Sequence, residues 1–159
     1  IDILWLGART TASPFAMQDI ALSLKGTDIP VLVKNPINPD IELWIGALER
    51  LSLAGINRVA AIHRGFSTYG DTTYRNTPIW EIAAELHNRI PELPILCDPS
   101  HIGGSRELIQ PIAEAALSRN YAGLFVEVHN NPDIALSDSN QQITPATLQT
   151  ILNNLNINL

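Results

Sequence analysis

Leu93-Pro-Ile-Leu-Cys-Asp98-Pro-Ser-His101-Ile-Gly-Gly104 runs from an apolar segment into a carboxylate, a proline, an imidazole and a glycine pair. A short apolar run without polar alternation reads as a strand buried on both faces, the habit of a parallel sheet. Pro99 ends that strand and turns the chain. Gly103-Gly104 then allows the backbone to approach a ligand closely before the next helix. His101 is therefore expected at the carboxyl end of a buried strand, where packing a core gives no reason for an imidazole.

The same pattern recurs in both directions. Apolar, β-branched-rich runs occur at Ile1–Leu6, Pro30–Lys34, Arg58–His63, Leu93–Asp98 and Gly123–Val128. Their starts lie roughly thirty residues apart, about the length of one βα unit. Helical stretches are predicted between and after them, at Pro14–Leu24, Asp40–Ala54, Pro78–Arg89, Ser105–Arg119 and Thr144–Leu155. Pro39-Asp40 and Gly55 bracket the second, and Thr144-Pro145 opens the last with a cap and first-turn pair. The reading is five βα units in one domain over residues 1–159.

Five such units fit either a doubly wound sheet or a (βα)8 barrel. No Gly-x-Gly-x-x-Gly loop follows any strand, so the dinucleotide-binding signature is absent. Instead every strand ends in a polar residue: Arg9 just past the first, then Lys34, His63-Arg64, Asp98 and Glu127. A site built from the carboxyl ends of several successive strands is what a TIM barrel provides. The expected fold is α/β, the carboxyl-terminal five βα units of a (βα)8 barrel with parallel strands. A whole barrel takes about 250 residues, so the amino-terminal units are expected to be missing.

Composition narrows the function classes. The chain has 159 residues, 45% of them hydrophobic and 16% charged, with a formal net charge of -6. No basic stretch exists to neutralise phosphates in series, which argues against a nucleic-acid partner. Apolar runs reach only about six residues, short of a membrane span. The single Cys97 cannot form an intramolecular disulfide, and no signal peptide is visible, so a reducing cytoplasm is expected.

In this acidic chain, Arg9, Lys34 and Arg64 sit at equivalent strand ends, where barrel geometry would converge them. A bound anion would offset their mutual repulsion, and guanidinium forks with an ammonium suit a phosphate beside a carboxylate. Arg75 and Arg106 follow in a loop and at a helix start, placed to touch a second phosphate. His101, Glu127 and Asp138 form a second set, the imidazole-and-carboxylate donors a divalent metal prefers. Glu127 lies in a buried strand and must meet a cation, a metal or a donor. Asp138 lies in a polar loop, where spacing alone allows a cap or turn. His129, two residues past Glu127, would share its face and could support it. His63 and His87 are not expected as ligands, and Cys97 is expected to face the helices as packing.

In combination, Gly7-Ala-Arg-Thr-Thr11, Val31-Leu-Val-Lys-Asn35, His63-Arg-Gly65, Asp98–Gly104, Glu127-Val-His129 and Ala135-Leu-Ser-Asp138 resemble class I 3-deoxy-7-phosphoheptulonate synthases. The resemblance runs in order over nearly the whole chain. It implies a barrel enzyme of the shikimate pathway that condenses phosphoenolpyruvate with erythrose 4-phosphate and releases phosphate. It implies that Arg9, Lys34, Arg64 and His101 hold phosphoenolpyruvate, with Arg75 a further substrate contact. His101, Glu127 and Asp138 would ligate a divalent metal such as Mn²⁺, Fe²⁺, Zn²⁺ or Co²⁺. Lys34, Asp98 and His101 would carry the chemistry, with Asp98 near the aldehyde.

Two departures qualify it. The family's fourth metal ligand is a cysteine on the first strand, and its sugar-phosphate loop Lys-Pro-Arg-Thr-Ser follows the second; neither is present, and Cys97 is misplaced to substitute. The chain alone is expected to bind metal weakly and to be inactive, and the full-length enzyme to be a homo-oligomer. Some relatives also carry a fused chorismate mutase. The alternatives are the related octulosonate 8-phosphate synthase, which uses arabinose 5-phosphate, and a non-catalytic barrel segment.

Overall fold

A computed structural model describes residues 1–70 and 73–157. Five parallel strands form one sheet in the order β1-β2-β3-β4-β5, the order of the chain itself. The strands are β1 (Leu4–Leu6), β2 (Val31–Lys34), β3 (Val59–His63), β4 (Ile95–Cys97) and β5 (Gly123–Leu124). The long helices are α2 (Pro14–Leu24), α3 (Ile41–Leu53), α4 (Trp80–Arg89), α6 (Ile109–Leu117) and α7 (Pro145–Asn154). Two short helices, α1 (Ala8–Thr11) and α5 (Pro99–Gly103), sit directly on the carboxyl ends of β1 and β4.

Register divides the strands into two faces. Leu6 pairs with Val33, Val33 with Ala61, and Ala61 with Ile95. These side chains are buried and pack with Met17, Trp44, Leu51 and Leu86 from the helices into the main core. Alternation sends their neighbours to the other side of the sheet. There Trp5 is 51% exposed, while Lys34 and Asp98 are buried.

The sheet is strongly curled. β1 and β5 are its two edges, which a flat sheet would hold about 19 Å apart at ordinary strand spacing. Yet the rings of Trp5 and Phe125, from opposite edges, meet edge to face with centroids 5.9 Å apart. This is the curvature of a barrel wall, with the inner face concave.

Caps explain several helix starts. Ser13, Asp40 and Thr144 each accept a hydrogen bond from the backbone N–H three residues on, satisfying a donor that has no partner within the helix. The predicted start at Pro78 moves to Trp80, because Thr77 pairs with Phe66 across a bridge and Ile79 takes a left-handed φ of 32°. The fifth strand ends at Leu124 instead of Val128. Beyond Phe125 its hydrogen bonds pass to the Ser100 hydroxyl and to Ile143, so the ladder with β4 stops.

The glycine pair serves the protein rather than a ligand. A Cβ on Gly103 would lie 2.8 Å from Leu108 Cβ, and one on Gly104 would lie 2.5 Å from Arg75 Cβ. Gly104 also has φ 70° and closes α5 in the left-handed conformation.

Candidate active site

The strand ends converge as the sequence predicts. Arg9, Lys34, Arg64, Arg75, His101 and Asp138 line one cavity of about 400 Å³ at the carboxyl ends of the strands. Lys34 reaches it across an aromatic floor, with Nζ 4.7 Å from the Trp5 ring centre and 4.9 Å from that of Phe125. Ring faces attract a cation, and the Lys34 side chain is only 4% exposed.

Arg64 is fixed by two buried asparagines. Its backbone N–H donates to Asn35 Oδ1 at 2.7 Å, and its Nη1 donates to Asn76 Oδ1 at 2.8 Å. Asn76 Nδ2 in turn donates to the His101 carbonyl at 2.7 Å. Burial pushes the Arg64 guanidinium below its ordinary value; Asp98 opposes this, while Arg75 and Arg9 add to it. An anion in the cavity would relieve that mutual repulsion between cations, and Arg9, itself exposed, lines the same cavity.

Asp98 joins the cationic and the imidazole halves. Its Oδ1 accepts the His101 backbone N–H at 3.0 Å and so caps α5. Its Oδ2 lies 2.9 Å from both Lys34 Nζ and His101 Nδ1. Neither Oδ2 contact has the alignment of a straight hydrogen bond, so the Lys34 pairing is chiefly ionic, while the carboxylate stands directly beside His101 Nδ1. Burial pushes the Asp98 carboxyl up, but His101 and Lys34 outweigh it and hold it below the usual carboxylate range.

This arrangement suits His101 as a metal donor. A carboxylate on Nδ1 favours the tautomer that leaves a lone pair on Nε2, as is usual for metal-bound histidines. Nε2 faces Glu127 Oε1 at 3.9 Å. One donor atom each from His101, Glu127 and Asp138 lies within 4.8 Å of the other two. Two oxygens and one imidazole nitrogen fit a first-row divalent cation. The Ser100 hydroxyl accepts the Glu127 N–H at 3.1 Å, tying that segment to α5.

Other candidates fall outside this cluster. His129 Nδ1 accepts the Asn131 N–H at 3.0 Å in a local turn and does not reach Glu127. Arg106 Nη2 bonds Asp133 and the Ser139 carbonyl, and its Nε bonds the Gln142 carbonyl, bracing the loop before α7 instead of facing the cavity. His87 is exposed on α4, and Cys97 packs with Ile102, Ile112 and Ala116. Burial pushes the Cys97 thiol well up. Sequence reasoning missed Asn35, Asn76 and Gln141, all buried and polar. Asn35 and Asn76 directly follow Lys34 and Arg75, which is a usable signal; Gln141 has none.

Parallel βα units on a curled sheet, with cations and metal-type donors gathered around the strand carboxyl ends, define a barrel-type domain. The sequence profile of the DAHP synthetase I family matches residues 1–158, and the chain belongs to that family. It is 35% identical over 143 residues to a phospho-2-dehydro-3-deoxyheptonate aldolase of Thermotoga maritima, covering 89% of this chain and 40% of that protein. A 2-dehydro-3-deoxyphosphooctonate aldolase of Desulfotalea psychrophila is 30% identical over 151 residues, covering 86% of this chain and 51% of the relative. The chain thus spans about half the length of the curated relatives it matches. Among solved structures, a truncated 3-deoxy-D-arabino-heptulosonate 7-phosphate synthase from Thermotoga maritima superposes with a TM-score of 0.84 at 29% identity. That match covers 98% of this chain and 57% of the other. No helix among the described residues is long and apolar enough to cross a membrane.

Proposed function

We propose that residues 1–159 supply five βα units of a metal-dependent 3-deoxy-7-phosphoheptulonate synthase, which condenses phosphoenolpyruvate with erythrose 4-phosphate. The observation that carries this reading is the single cavity lined by Arg9, Lys34, Arg64, Arg75, His101 and Asp138. The family supports it independently. The buried thiol of Cys97, the chain's single cysteine, suits a reducing cytoplasm.

Arg64, Lys34 and Arg9 neutralise the phosphate and carboxylate of phosphoenolpyruvate and fix its orientation, which is where positioning lowers a barrier. Arg75 meets a further anionic oxygen. His101, Glu127 and Asp138 would hold the divalent metal, which when bound supplies Lewis acidity toward the aldehyde oxygen. C3 of phosphoenolpyruvate forms a bond to the aldehyde carbon, water adds at C2, and phosphate leaves by C–O cleavage. Asp98 keeps the Lys34 ammonium and the His101 proton in place through that charge movement, because its carboxylate touches both.

The octonate relative favours a second reading, condensation with arabinose 5-phosphate. Phosphate release from phosphoenolpyruvate with each aldose phosphate in Mn²⁺, measured on the protein as its gene encodes it, separates the two. Turnover with erythrose 4-phosphate is expected. Preference for arabinose 5-phosphate overturns the first reading, and a folded protein that neither turns over nor binds phosphoenolpyruvate overturns both.

A further inference from the structure

Two of the three candidate metal donors are already engaged, and by connected groups. Arg75 Nη1 donates to Asp138 Oδ1 at 2.6 Å and to Gln141 Oε1 at 2.5 Å. Gln141 Nε2 donates to Glu127 Oε2 at 2.7 Å. The result is a continuous chain from Asp138 through Arg75 and Gln141 to Glu127. Gln141 is 1% exposed, so an amide without partners there would be costly, and both of its ends are used. Arg75 is different: its side chain is 48% exposed, and it also lines the anion cavity with Arg9, Lys34 and Arg64. Asp138 reaches inward from a left-handed turn at φ 50°, a conformation that aspartate tolerates better than most residues.

A guanidinium and a divalent cation compete for the same carboxylate, since both are held by the same negative charge. We propose that Arg75 is an exchangeable counter-ion that couples metal binding to anion binding, with Gln141 as the positioning residue that keeps Glu127 aimed during the exchange. This rests on the reading of His101, Glu127 and Asp138 as metal donors. Without metal, Arg75 neutralises Asp138. When a divalent cation takes Asp138 and Glu127, the guanidinium is released toward a phosphate-bearing ligand in the cavity. Linkage then requires each ligand to raise the affinity of the other by the same factor.

Direct attraction between a dication and an anion also gives positive coupling, so the test must remove Arg75 alone. Mn²⁺ affinity is read from the free-ion paramagnetic resonance signal, with and without saturating phosphoenolpyruvate, after correction for Mn²⁺ bound by phosphoenolpyruvate itself. Circular dichroism verifies folding. Phosphoenolpyruvate should tighten Mn²⁺ binding by at least about fivefold in the unaltered protein, the lower end of ordinary couplings. In Arg75→Met, Mn²⁺ alone should bind a few-fold more tightly, and the phosphoenolpyruvate effect should shrink to below about twofold. Arg75→Gln carries the same expectation if the methionine variant does not fold. Coupling of unaltered size in either variant overturns the proposal, as does Mn²⁺ binding that phosphoenolpyruvate does not affect in the unaltered protein. A folded protein that binds no Mn²⁺ instead defeats the metal reading beneath it. Gln141→Met should weaken Mn²⁺ about 10- to 100-fold, as loss of a supporting group usually does; unchanged affinity removes Gln141 from the scheme.

Discussion

The two faces of the sheet bury ionisable side chains at the same level and by opposite means. On the helix-covered face, His63 is fully buried at the end of β3 among Trp44, Phe66, Trp80 and Tyr121. Its Nδ1 meets the Tyr121 hydroxyl at 2.7 Å, and burial lowers its pKa to about 4, so the ring stays neutral. On the concave face, Lys34 and Asp98 are equally hidden, with side chains 4% and 0% exposed, yet face each other 2.9 Å apart. One face removes charge; the other compensates it. Only the second leaves charge available to a ligand, and that is the face with the cavity.

The sharpest way to break this contrast is to remove one partner of the compensated pair. Asp98→Ala leaves the Lys34 ammonium buried without its carboxylate, and should cost about 3–5 kcal/mol in urea denaturation. The double variant Lys34→Met, Asp98→Leu should regain much of that loss, because an apolar pair needs no compensation. It should lose phosphoenolpyruvate binding all the same. A single variant as stable as the unaltered chain would show that Lys34 finds another partner, and the contrast between faces would fall.

The neutral face makes a different prediction, in pH. The folded pKa of His63, about 4, lies below its ordinary value of 6.5. Between those values the unfolded chain takes up a proton that the folded chain refuses, so stability falls as pH drops from about 6.5 toward 4. The loss from this residue is about 3 kcal/mol when complete. Asp98 is depressed, so its stabilising contribution is present at higher pH and is lost only as pH falls below the ordinary carboxylate range. The helix-covered face therefore fails first on acidification and the concave face second. His63→Phe should flatten the slope between pH 6.5 and 4 while leaving the more acidic limb. Urea midpoints measured across that range decide it, and an unchanged slope in the variant would assign the acid sensitivity elsewhere.

What the sequence revealed follows the same division. Arg9, Lys34, Arg64, Asp98, His101 and Glu127 were legible because a charged residue ending an apolar run contradicts packing, and a parallel sheet sends such ends to one rim. Gln141 was not legible. It lies in Ser137-Asp-Ser-Asn-Gln-Gln142, a polar stretch without periodicity, and its partners Arg75 and Glu127 lie 66 and 14 residues away in the chain. Gly103-Gly104 was legible as a close approach but not as an approach to Leu108 and Arg75, since a glycine does not disclose which neighbour excludes its side chain. The helices α1 and α5 were too short, at 4 and 5 residues, to show a period. The polar chain from Asp138 to Glu127 is a tertiary property, made of residues from three separate loops.

The smallest effect calibrates the largest. Asp40 and Asp98 both precede a helix and both accept the backbone N–H three residues on, at 3.0 Å in each case. Asp40 does nothing more, whereas the second oxygen of Asp98 holds Lys34 and His101. Asp40→Ala should therefore cost about 1 kcal/mol, the ordinary value of a cap, and Asp40→Asn close to nothing. Asp98→Asn keeps a capping oxygen but gives up the charge. If capping were the main duty of Asp98, its asparagine variant would behave like that of Asp40. A loss in Asp98→Asn that approaches that of Asp98→Ala would place the energy in the ion pair instead. Equal behaviour of the two asparagine variants would mean that the buried charges contribute little to stability and that their retention answers to ligand binding alone.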